Sequence, residues 1–73
     1  MVEIEITNGG RDVIYFIVED AVYDAGLMDV ITDFDDSDSR KFILEISERD
    51  FDRYQRELDK MRTALERNGY DVY

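Results

Sequence analysis

The fold turns on one stretch, Met28-Asp29-Val30-Ile31-Thr32-Asp33-Phe34, then Asp35-Asp36-Ser37-Asp38-Ser39-Arg40, then Lys41-Phe42-Ile43-Leu44-Glu45-Ile46. The first and last segments alternate apolar and polar residues, the period of a half-buried strand. The middle segment is made of turn-forming Asp and Ser. The three together predict a β-hairpin with an acidic tip. The pattern puts Met28, Val30, Thr32 and Phe34 inward on the first strand, and Phe42, Leu44 and Ile46 inward on the second.

Upstream, Val2-Glu3-Ile4-Glu5-Ile6-Thr7 alternates in the same way and predicts a first strand, which Asn8-Gly9-Gly10 breaks. Arg11 to Ala25 reads as a helix. Ile14, Ile17, Val18, Ala21, Val22 and Ala25 share one face, and Gly26 suits a left-handed stop. That leaves Phe16 and Tyr23 outward, one heptad apart. The run Val13-Ile14-Tyr15-Phe16-Ile17-Val18 also has strand character, but the length to Gly26 and the acids Glu19, Asp20 and Asp24 favour the helix.

Downstream, Ser47 opens a helix that runs to about Asn68. Ser47 and Asp50 approach a capping box, and Phe51, Tyr54, Leu58, Met61 and Leu65 form a narrow core-facing stripe. Asp52–Arg56 and Arg62–Glu66 are spaced for i, i+4 ion pairs. After Gly69, Tyr70-Asp71-Val72-Tyr73 predicts a short last strand. The order β-α-β-β-α-β implies an α+β two-layer sandwich over one domain, 1–73. Two helices would lie on one face of a four-stranded sheet, in the ferredoxin-like split βαβ arrangement.

Composition narrows the chemistry. The chain has no Cys and no His, which removes disulfides, thiolate nucleophiles and the usual transition-metal ligands. No apolar run reaches membrane-span length and no charged-then-apolar leader opens the chain, so a soluble, cytoplasmic protein without a membrane partner is expected. The net charge is −10. Ser47 to Gly69 is balanced, with six acids and six bases, while Met1 to Ile46 carries twelve acids against three bases. This asymmetry argues against uniform acidification for a salty cytoplasm. It also argues against nucleic acid as a partner, because phosphates would be repelled.

Calcium takes six to eight oxygens from carboxylates, hydroxyls, carbonyls and water. Asp33, Asp35, Asp36 and Asp38, with Ser37 and Ser39, offer those ligand types. Magnesium, which needs fewer protein ligands, is the other candidate. The stretch is no EF-hand: counted from Asp33, position 6 is Asp38 instead of Gly and position 12 is Leu44 instead of Glu. Glu3, Glu5 and Glu45 form a second acidic group, expected on the outward sheet face where the first and third strands pair. Solvated acidic turns are common without any ligand.

A strongly acidic, cysteine-free α+β chain with an Asp-rich stretch resembles the small calcium-binding α+β proteins of methanogenic archaea. That resemblance implies calcium binding on the acidic surface and does not select the ligands. No nucleophile–base couple, phosphate loop or oxyanion device accompanies the acids, so a non-enzyme is expected. The competing expectation is an interaction module, or a mimic of nucleic acid, whose acidic face docks on a basic protein surface. Either protein would be a monomer or a weak dimer.

Overall fold

A computed structural model describes residues Met1–Tyr73. The chain forms β1 (Val2–Thr7), α1 (Tyr15–Asp24), β2 (Ile31–Asp38), β3 (Lys41–Ile46), α2 (Glu48–Arg53), α3 (Gln55–Arg67) and β4 (Asp71–Val72). The four strands make one antiparallel sheet in the order β2-β3-β1-β4. The alternation in the sequence decides which sheet face is buried. Ile4 lies opposite Leu44 and Ile6 opposite Phe42, and all four are buried. They pack in one cluster with Val18, Ala21 and Val22 of α1 and Leu58, Met61 and Leu65 of α3. Both helices therefore cover the same face. No helix is long and apolar enough to cross a membrane.

The expected helix over 11–25 begins later, at Tyr15. Ile14 is still extended (φ −87°, ψ 120°), and the Val13 N–H donates to the Ser39 carbonyl at 2.7 Å. The β-rich run thus splits, its first part tied to the β2–β3 turn and its second part helical. Val18, Ala21 and Val22 face the core as the spacing predicts, and Phe16 and Tyr23 point outward, 61% and 71% exposed. Gly26 ends the helix at φ +78°. A methyl group added there would meet no atom within 4 Å, so Gly26→Ala carries backbone strain alone, about 1–2 kcal/mol. In a domain of this size that lowers the melting temperature by several degrees. A thermal melt with no drop would contradict the left-handed stop.

Two expectations need correction. The strand placed at Met28–Phe34 starts three residues later, and its first half has the opposite face inward. Leu27, fully buried, receives hydrogen bonds at its carbonyl from the N–H groups of Val30 and Ile31, at 3.1 and 3.0 Å. These bonds curl residues 27–30 into a turn. Ile31 then enters the core opposite Ile46 while Thr32 is exposed, and an irregularity between Ile31 and Asp33 restores Phe34 to the core face opposite Leu44. A bulge of this kind changes the parity that simple alternation assumes.

The single helix from Ser47 is two. Ser47 Oγ accepts from the Asp50 N–H at 3.2 Å, as the cap pattern predicts. Tyr54 then leaves helical geometry (φ −106°, ψ 32°) and separates α2 from α3. Neither expected i, i+4 ion pair forms within 4.0 Å. The break at Tyr54 lies between Asp52 and Arg56, and Arg62 turns back to Asp59 at 3.5 Å.

Candidate functional site

Opposed residues of antiparallel strands share a face. Those that alternate with the core therefore line the uncovered side of the sheet in three rows. Asp33, Glu45 and Glu3 form the first row across β2, β3 and β1. The second holds Asp35, Ile43 and Glu5, with Tyr73 alongside, its N–H donating to the Glu5 carbonyl at 2.8 Å. The third holds Asp38, Lys41, Thr7 and Asp71. Seven carboxylates thus share this surface with a single cation, Lys41. Its Nζ lies 3.7 Å from Glu5 Oε1, an exposed pair of small energetic value.

The first row has no ion-pair partner at all: besides Lys41–Glu5, the only pairs within 4.0 Å are Met1 N to Glu48 and Arg62 to Asp59. Like charges opposed on one sheet face are destabilising. The sequence leads to Glu3 and Glu45 as neighbours. The alternation also puts Asp33 on that outward face, and the pairing of β2 with β3 sets it opposite Glu45.

The four aspartates named from the sequence do not sit on a free tip. Asp33, Asp35, Asp36 and Asp38 all belong to β2, and the turn itself is only Ser39-Arg40. Asp is a poor strand former, but pairing to β3 overrides that preference, and the edge position keeps these side chains in water. Asp35 and Asp38 serve the backbone locally. Asp35 Oδ1 accepts from the Ser37 N–H at 3.0 Å, and Asp38 Oδ1 accepts from the Arg40 N–H at 2.9 Å. The Ser37 backbone and side-chain hydrogen bonds, followed by the charge of Lys41, hold the Asp35 carboxyl below its ordinary value. Those bonds are intact above the usual aspartate range and are lost as pH falls through the lowered value.

No family model, curated protein or solved structure matches this chain. No three carboxylates converge closely enough to hold a metal ion. The acids lie in rows along a sheet, their spacing set by the strands, and do not gather the six to eight oxygens of a calcium cage. What the arrangement offers is a flat, half-buried to exposed anionic surface, open to a partner of complementary charge.

Proposed function

We propose that the open sheet face is a docking surface for a basic protein partner. The row Asp33–Glu45–Glu3, three opposed carboxylates with no cation of their own, carries this reading. A lysine- or arginine-bearing surface laid on it relieves the cross-strand repulsion and gains complementary charge. A flat array suits a broad cationic surface better than a single small ion. The order β2-β3-β1-β4, with α1 and the α2–α3 pair each linking strands that have another strand between them, supports reading the scaffold as a ferredoxin-like split βαβ.

Calcium is the second reading, favoured by the same unneutralised row. A divalent ion bridging adjacent carboxylates there, or along Asp33, Asp35, Asp36 and Asp38, would relieve the same repulsion. Water would supply most of its ligands.

Amide NMR separates the two. A lysine-rich peptide is expected to shift Glu3, Asp33 and Glu45, with affinity falling as salt rises from about 10 to about 150 mM and the Debye length shrinks from ~30 to ~8 Å. Glu45→Lys should weaken that binding by roughly tenfold, about 1.4 kcal/mol. The same change should stabilise the fold by about 0.2–1 kcal/mol, because it converts a like-charge row into an alternating one. Saturable shifts with calcium at constant ionic strength, and none with the peptide, would replace the first reading by the second. A Glu45→Lys protein that binds the peptide unchanged would end it.

A further inference from the structure

α1 and α3 lie side by side over the sheet, and their outer surfaces differ in kind. On α1 the buried residues Val18, Ala21 and Val22 set the inward face, so the helical period turns Phe16, Asp20 and Tyr23 away from the core. Phe16 and Tyr23 are large exposed rings, and Asp20 is exposed between them. The helix carries three acids, Glu19, Asp20 and Asp24, and no base. On α3 the inward residues are Leu58, Met61 and Leu65. The line opposite them is Arg56, Lys60, Thr63 and Arg67, all exposed, with no acid among them. Neither the acids of α1 nor the bases of this line have an opposite charge within 4.0 Å.

An acidic, aromatic ridge thus runs beside a basic one, each lacking its counter-charge. A groove of about 190 Å³ separates them, with Ile17, Ala21 and Ala64 at its floor and Asp20 and Asp24 on one wall. β1 and β2 both run antiparallel to β3, and β3 and β4 both run antiparallel to β1. The helices that connect these parallel pairs, α1 and α3, therefore run in opposite directions.

We propose that this helical surface is self-complementary and pairs with the same surface of a second copy of the chain. In the resulting two-fold dimer, α1 of each copy lies antiparallel on α3 of the other. An axis parallel to the helices and above the groove generates this arrangement and makes every contact twice. Asp20 and Asp24 then face Lys60 of the second copy, and the rings of Phe16 and Tyr23 lie against the stems and charged heads of its bases. The rings are seven residues apart, as are Lys60 and Arg67, a spacing of about 10 Å along either helix. Burial of the rings and cation–π contact supply attraction, and the carboxylates decide which helix meets which. An axis across the helices would lay α1 on α1 and set like charges together. The net charge of −10 opposes association, but the row Glu3, Asp33 and Glu45 lies on the far side of each copy. Four short helices make a small contact, at or below ~1,200 Å², so a dissociation constant between about 1 μM and 1 mM is expected. Both acidic sheet faces stay outward and open, so this dimer is independent of the docking reading above.

Sedimentation velocity across that concentration range, at about 150 mM salt, is expected to show monomer passing to dimer. Concentration-dependent amide shifts should fall on α1 and α3 and leave Glu3, Asp33 and Glu45 unmoved. Asp20→Lys and Lys60→Asp, both at exposed positions that tolerate substitution, should each weaken self-association at least tenfold. The two change net charge in opposite directions, so an effect of total charge alone would not weaken both. An equimolar mixture of the two variants should recover the dimer, because each then supplies the charge the other needs. Phe16→Ala, with charge unchanged, should also weaken it about tenfold. A chain that stays monomeric throughout the range would overturn the proposal. So would a dimer that survives both charge variants, or charge variants that fail to associate when mixed.

Discussion

Phe42→Ala is expected to leave the protein largely unfolded. Phe42 is 1% exposed near the start of β3, beside the hairpin turn. Its ring meets Tyr15 at 5.4 Å and Phe34 at 6.0 Å, both edge-on, and these two rings lie 6.1 Å apart. The trio joins the start of α1 to both strands of the hairpin, so one truncation removes the packing of three elements. Loss of a buried Phe costs about 3–5 kcal/mol. A chain this small has total stability near the ~5 kcal/mol end of the natural range. Urea unfolding followed by circular dichroism is the measurement. Phe16→Ala, which removes an equally large but 61% exposed ring, should change stability by no more than about 0.5 kcal/mol. Similar losses for the two variants would place the aromatic core elsewhere.

The second large effect discriminates between the two registers of β2. Ile31 is 8% exposed and faces Ile46 across the ladder, so Ile31→Ala should cost about 2–5 kcal/mol. Thr32 is exposed, and its hydroxyl donates to the Glu45 carbonyl at 3.1 Å. Thr32→Ala forfeits at most one ordinary hydrogen bond, about 1 kcal/mol. Plain alternation from Met28 predicts the reverse ranking, with Thr32 inward and Ile31 in water. A chemical-denaturation series in which Thr32→Ala is the more damaging variant would reinstate that register and remove the irregularity between Ile31 and Asp33.

Much of the scaffold is legible in local pattern. β1 and β3 keep the faces their alternation assigns, because each runs without a bulge and has one dry side. Gly26 and Ser47 act where a stop and a cap are expected, since both depend on the chemistry of a few adjacent residues. Tyr70 shows where local pattern fails. Its ring is 4% exposed, and its hydroxyl accepts a hydrogen bond at 3.2 Å from the N–H of Ile14, which is otherwise left over where α1 begins. No spacing rule links residues 56 positions apart.

The site divides along the same line. Sequence alone determines that the acids concentrate before Ser47, that the chain lacks thiol and imidazole chemistry, and that four strands and the helical segments alternate in this order. Those are properties of composition and of short-range periodicity. Only the tertiary structure decides that Asp33 is paired directly opposite Glu45, that Ile31 and not Thr32 enters the core, and that Tyr54 divides the last helical segment in two. Strand neighbours and register are set by burying Ile31, Phe34 and Leu27 together, a requirement of the shared core that no single segment expresses.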